Sequence, residues 1–229
     1  MTVIRRTPLH TATVVGAADL TPRMRRITLH APTMTTPNPA QDVELVLADD
    51  TGRKVKRRYT IRSFRADTGE LDIDALRHGH GGPGTAWAAG AAAGDEIQFF
   101  GPRGRLELRA ADWHLFVGDE SAIPAIAALA EAVDAPAYAL VEVGDAGDEI
   151  GLAAEVRWLH RGATPPGTAE LFSAALDGFS RPAGDGHAYL LGESRVVAGL
   201  RPRLNDLGLT NDQLYVKGYW NLGRAALAR

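Results

Sequence analysis

The 229-residue chain has no cysteine. Disulfides, thiolate zinc sites and cysteine-held iron–sulfur clusters are therefore excluded, because each needs cysteine sulfur. It also has almost no net charge: 25 Lys+Arg against 28 Asp+Glu gives −3. No whole-chain field draws it to nucleic acid or to an anionic membrane surface. No apolar run approaches the ~20 residues of a membrane-spanning helix, and the opening MTVIRRTPLHTATVV lacks the form of a signal peptide. These absences lead us to expect a cytoplasmic protein with no membrane insertion and no nucleic-acid partner. At 45% hydrophobic residues, the chain can still bury one large core or two modest ones.

Two textures divide the sequence, giving expected domains at 1–108 and 109–229. The first holds six short runs split by Gly, Pro and Asp: HTATVV, MRRITLH, VELVLA, RRYTIRSF, LDIDAL and DEIQFFG. In LDIDAL, Leu71, Ile73 and Ala75 alternate with Asp72 and Asp74, the period of a half-buried strand. Six such runs predict an antiparallel barrel or sandwich, interrupted by one Ala-rich helix over Thr85–Ala93. The second part alternates strand and helix. HLFVG, AYALVEV, VRWLH, HAYLLG and DQLYVKGYW read as strands. Helices start at Pro124 and run through TAELFSAAL and ESRVVAGLRPRLNDLG, the last kinked by Pro202. That alternation predicts a parallel sheet covered by helices.

Four segments carry chemistry. In KRRYTIR, alternation puts Arg57, Tyr59 and Ile61 on one face and Arg58, Thr60 and Arg62 on the other. A guanidinium and a ring side by side suit a flat polyanion, although an exposed basic edge strand fits the same residues. RHGHGGPGTAWA puts five Gly and Pro residues before a helix, where backbone N–H groups can receive a phosphate; a plain tight turn is the alternative. The His78 and His80 spacing is weak for a metal, and none is expected. FVGDESAIPAI has the strand–turn–helix layout of a nucleotide site but lacks GxGxxG. Its Asp119 and Glu120 would repel a pyrophosphate, while Ser121 could cap the helix. YVKGYWNLGR pairs two aromatics with a lysine and an arginine, as a packing anchor or as the partner of an aromatic cofactor.

Taken in order, these motifs resemble the siderophore-interacting protein family of FAD-dependent ferric-siderophore reductases, in the ferredoxin-reductase-like superfamily. RRYTIR, HGHGGPGTAWAAGAAAGD, GPRG, GDESAIPAI, WLHR, LGE and KGYWNLG follow the family's sequence of blocks across about residues 5 to 224. The resemblance implies a Greek-key FAD-binding β-barrel followed by an NAD(P)H-binding α/β domain. It implies that Arg57 binds the FAD pyrophosphate, Tyr59 stacks on the isoalloxazine and Thr60 lies near flavin N5, flanked by Ile61. Because alternation points Thr60 away from Tyr59, that contact needs a strand end or the backbone N–H. Arg62, His78, Gly81, Gly82, Pro83, Gly84 and Thr85 would complete phosphate and adenosine binding, with Trp87 and Ala88 beyond. Gly118, Asp119, Glu120 and Ser121, running to Pro124, would line the nicotinamide nucleotide site with Gly192 and Glu193. Tyr219 and Trp220 would lie by the flavin's other face. Asn221 stands where the family usually has Arg, Pro202 where Arg is common, and the chain is short for the family.

The implied activity is electron passage from NADH or NADPH through FAD to a ferric siderophore, with the chemistry on the flavin and no catalytic acid, base or nucleophile. Lys56, Lys217 and Arg224 flank the flavin motifs and are candidates for a basic substrate pocket, or else ordinary surface charges. The acidic EVGDAGDE segment disfavours a 2′-phosphate, whereas Arg161 could receive one. A monomer is expected. The alternatives are a reductase of the same fold acting on free flavin, quinone or a protein, and a non-catalytic flavin- or siderophore-binding module.

Overall fold

The computed structural model describes residues 7–78 and 81–223. The chain divides between Glu107 and Leu108 into two compact units. The first holds β1 (Leu9–Asp19), β2 (Met24–His30), β3 (Asp42–Ala48), β4 (Lys54–Thr60), β5 (Ser63–Arg65), β6 (Glu70–Leu76), α1 (Pro83–Gly90) and β7 (Glu96–Arg103). Its seven strands form one antiparallel sheet in the order β4-β3-β7-β1-β2-β6-β5.

RRYTIRSF, read as one run, is two strands that lie at opposite edges of that sheet. Only Ile61 and Arg62 join them, and so short a link spans about 10 Å at most. The sheet must therefore curl until its edges approach, which makes it a barrel. The two linking residues extend the ladders on either side of the seam: Ile61 N–H donates to Gln41 O at 2.8 Å beside β3, and Arg62 N–H to Asp72 O at 2.9 Å on β6. Val14, Ile27, Leu29, Val43, Leu45, Leu71, Ile73 and Phe99 fill the interior.

LDIDAL departs from its predicted wet face. Asp72 and Asp74 are 5% and 4% exposed, because arginines from neighbouring segments cover them. Arg26 grips Asp74 with two hydrogen bonds of 2.7 Å. Arg65, Thr28 and Ser63 all donate to Asp72. Burial pushes the Asp72 carboxyl up, but these donors outweigh it and bring its pKa to about 2. Period-2 patterning registers the chemical type of a side chain; whether a partner covers it is a tertiary matter.

The second unit holds β8 (Trp113–Asp119), α2 (Ile123–Ala130), β9 (Ala137–Val143), β10 (Glu155–His160), α3 (Glu170–Asp177), β11 (Gly186–Glu193), α4 (Ser194–Gly199), α5 (Arg201–Asp206) and β12 (Leu214–Trp220). The strands form a parallel sheet in the order β10-β9-β8-β11-β12. β8 and β11 are buried along their whole length, as expected of central strands covered on both faces. The expected last helix is two helices meeting at Leu200, with Pro202 in the first turn of α5, where its missing N–H costs nothing. The chain order reverses between β8 and β11, and a crevice at such a switch point, beyond the carboxyl ends of the strands, is where α/β sheets bind ligands.

Candidate functional site

In the barrel unit, alternation along β4 is confirmed in burial. Arg57 and Tyr59 are half-buried on one face, and Lys54, Lys56 and Arg58 are exposed on the other. The α1 N-terminus meets the first face. A Cβ on Gly84 would stand 2.7 Å from Tyr59 Oη and 3.5 Å from Arg57 Cγ, so only glycine lets the helix approach this closely. One turn later, Trp87 packs its ring 5.4 Å from that of Tyr59, tilted by 55°. Burial raises the Tyr59 phenol pKa, against the opposing pull of Arg57, and keeps it neutral.

The helix entrance is built for an anion. Gly81 and Gly82 have φ of +66° and +111°, conformations that side chains oppose, and open space surrounds both α-carbons. No side chain caps the helix at Gly82, and Pro83 removes one donor from its first turn. Thr85 Oγ1 lies 3.3 Å from His78 Nε2 at the same entrance. Ala88 is buried behind it. A guanidinium, uncapped helix N–H groups, a hydroxyl and exposed glycines form a donor set that fits the pyrophosphate of FAD. Thr60 is the last residue of β4, so the strand end that its expected contact requires is present. Ile61 is buried in the barrel, and Arg62 lies 4.0 Å from Asp74.

Lys56 points from the opposite face of β4. Its ammonium lies 3.1 Å from Glu44 and 4.4 Å from the centre of the Phe100 ring. Arg103 reaches the same carboxylate at 2.6 Å. Burial raises the Glu44 pKa, but the two cations prevail and lower it.

In the sheet unit, the acidic pair is buried and hydrogen-bonded. Asp119 and Glu120 are each 7% exposed, with both carboxylates turned inward. Asp119 Oδ1 accepts from the backbone N–H of Ser121 at 2.9 Å and also from its hydroxyl. Oδ2 accepts from Glu193 N–H at 2.9 Å and Trp220 Nε1 at 2.8 Å. Burial nonetheless raises the Asp119 pKa against these donors. Ser121 is thus a donor to Asp119, which caps the short 3-10 turn that leads into α2.

The two glycines of this site serve the same packing. A Cβ on Gly118 would stand 2.6 Å from Leu191 O, and one on Gly192, at φ +146°, 2.6 Å from Asp119 Oδ2. Glu193 caps α4 through Arg195 and Val196 N–H and accepts Leu222 N–H at 3.0 Å. Lys217 holds its ammonium 5.1 Å from the centre of the Tyr219 ring. Asn221 is exposed, and Arg224 lies outside the described residues.

Arg161 is not free to meet a phosphate. Its side chain is 7% exposed and donates to Glu120 at 3.0 and 3.1 Å. Glu142, 1% exposed, places Oε1 3.7 Å from Arg161 Nη1, and neither of its oxygens accepts a hydrogen bond. Burial raises its pKa to about 7, with Arg161 opposing and Asp119, Glu120 and Glu170 adding to the rise. In the sequence Glu142 figures only as the first residue of the acidic EVGDAGDE run; its burial at the end of the apolar AYALVEV strand is a tertiary fact. Among the described residues, no cluster of metal-ligating side chains is present and no helix is long and apolar enough to cross a membrane.

Comparison with known proteins bears on both units. The family model described as siderophore-interacting protein matches residues 111–223, and that described as siderophore-interacting FAD-binding domain matches residues 35–106. An uncharacterized protein of Mycobacterium tuberculosis is 35% identical over 259 aligned positions, covering 95% of this chain and 92% of its own. Ferric vibriobactin reductase ViuB of Vibrio cholerae is 35% identical over 182 positions, covering 75% of this chain and 66% of its own. The crystal structure of a siderophore utilization protein from T. fusca superposes with a TM-score of 0.87 at 33% identity, covering 96% of this chain and 95% of that one.

Proposed function

The chain belongs to the siderophore-interacting protein family, and from that premise we propose that it is an FAD-dependent NAD(P)H:ferric-siderophore oxidoreductase that releases iron as Fe(II). The observation that carries this reading is the meeting of Arg57 and Tyr59 with the uncapped N-terminus of α1 at Gly84. Bound FAD would supply the conversion of a two-electron hydride donor into single-electron transfers. One NAD(P)H is then oxidised to NAD(P)+ and a proton for every two ferric chelates reduced. Siderophore oxygens hold Fe(III) far better than Fe(II), so reduction loosens the metal.

In this reading the chain's own residues bind and orient. Arg57, with Thr85 and the N–H groups beyond Pro83, holds the pyrophosphate, and His78 and Arg62 flank it. Tyr59 offers a neutral ring for stacking, and Thr60 stands at the strand end for the N5 contact. Gly118 to Ser121, Gly192 and Glu193 shape the nicotinamide nucleotide site through their backbone, since their carboxylates are already engaged. Tyr219 and Trp220 supply the second aromatic surface, and Lys56, Lys217 and Arg224 draw an anionic chelate. The protein acts as a cytoplasmic monomer, where reduced pyridine nucleotide is available.

The test is anaerobic. Purified yellow protein mixed with NADH or NADPH should lose its flavin absorbance, and adding a ferric siderophore with a ferrous-specific chelator should restore it while two Fe(II) appear per nucleotide consumed. Bleaching without Fe(II) would point to free flavin, quinone or a protein as acceptor. Failure to bleach with either nucleotide would leave a binding module.

A further inference from the structure

We propose that Glu120 and Glu142, by holding Arg161 inside the carboxyl edge of the sheet, make this protein select NADH and reject the 2′-phosphate of NADPH. The inference rests on the reading of the second unit as a pyridine-nucleotide site. In doubly wound sheets the adenosine ribose lies beside the ends of the first strands, where an acidic side chain favours a 2′-hydroxyl and a cation favours a 2′-phosphate. Here β8 ends at Asp119 with Glu120 directly after it, Glu142 is the penultimate residue of β9, and Arg161 follows β10. The cation whose position suits a 2′-phosphate is therefore present but withdrawn.

Its withdrawal is specific. Both hydrogen bonds of the Arg161 Nη2 group go to the Glu120 carboxylate, which is itself fixed by Gly144 N–H at 2.9 Å. Nη1 has no hydrogen-bond partner and faces Glu142 at 3.7 Å by charge alone. His160, the neighbouring basic residue, is likewise engaged, with Glu149 at 2.7 Å. Two buried carboxylates, Glu120 and Glu142, face one guanidinium, so once Glu142 is ionised, above about pH 7, the edge carries surplus negative charge. A phosphate dianion about 10 Å from one uncompensated carboxylate, at an effective dielectric of about 40, meets roughly a tenfold penalty that a hydroxyl does not.

The test uses the full-length, FAD-loaded protein at about pH 8, where Glu142 is ionised, and two redox-inert probes, ADP-ribose and 2′-phospho-ADP-ribose, titrated by calorimetry, with kcat/KM for NADH and NADPH measured alongside. The wild-type protein should bind ADP-ribose about tenfold or more tighter. Glu142→Gln should shrink that ratio about threefold or more by removing charge without changing shape, and the double change to Gln at 120 and 142 should shrink it further. Equal or tighter wild-type binding of the phosphorylated probe overturns the inference and leaves the enzyme assignment standing. An unchanged ratio in a folded Glu142→Gln protein overturns it as well. Binding of neither probe overturns the nucleotide reading and this inference together. Should the double variant fail to fold, the wild-type and Glu142→Gln ratios decide.

Discussion

Trp220 donates its indole N–H to Asp119 Oδ2 at 2.8 Å, across 101 residues of chain. The same oxygen accepts the N–H of Glu193, so one buried carboxylate ties together the carboxyl ends of β8, β11 and β12. A residue that family resemblance assigns to the nucleotide site is thereby also a positioning residue for the terminal aromatic pair.

Removing that carboxylate should cost stability as well as function. Asp119→Ala leaves three N–H groups and one hydroxyl without their acceptor and should destabilise the protein by about 2–4 kcal/mol. Asp119→Asn and Trp220→Phe, singly and together, should show a coupling of about 1 kcal/mol in urea unfolding. Additive effects would mean that the hydrogen bond contributes nothing.

Gly84→Ala tests the FAD site. Alanine suits a helix better than glycine, but here its methyl must push the packed Tyr59 ring aside, so the protein without flavin should stay folded and melt a few degrees lower. The added methyl would meet Tyr59 Oη at 2.7 Å and displace the phenol. The expected outcome is flavin loss, read as the absorbance ratio of flavin to protein after gel filtration, with affinity weakened about tenfold or more. Full retention would remove the Tyr59–α1 contact from the FAD site.

Glu142 should shape the pH dependence of stability. Its pKa is raised from 4.5 to about 7 in the folded protein, chiefly by burial, so the folded state binds its proton more tightly than the unfolded state does. That contribution is full below about pH 4.5 and is lost as pH rises through about 7. Glu142→Gln removes the dependence. Its Tm should therefore gain on wild type between pH 5 and pH 8, by a few degrees, on the order of 1 kcal/mol. A constant difference across that range would show that Glu142 is ionised throughout.

The two lysines proposed for the substrate pocket can be tested singly. Lys56 pairs with Glu44, and Lys217 lies over the Tyr219 ring. Lys56→Ala and Lys217→Ala should each raise KM for an anionic ferric chelate about twofold or more with FAD content intact. Both effects should fade at high salt. Unchanged steady-state kinetics in both variants would take these lysines out of the pocket.

By itself the sequence determined what is local. The change from alternating runs to strand–helix alternation marked the two kinds of sheet, and the glycines before Thr85 marked a helix entrance that needs positive φ. The face shared by Arg57 and Tyr59 followed from the period of a strand. Tertiary structure alone decided which charges are spent. The wet-looking Asp72 and Asp74 are covered by arginines, Asp119 and Glu120 turn inward, and Arg161 pairs with Glu120 from 41 residues away. The reason is physical: periodicity depends on neighbours along the chain, whereas the charge state of a buried carboxylate depends on partners brought to it through space.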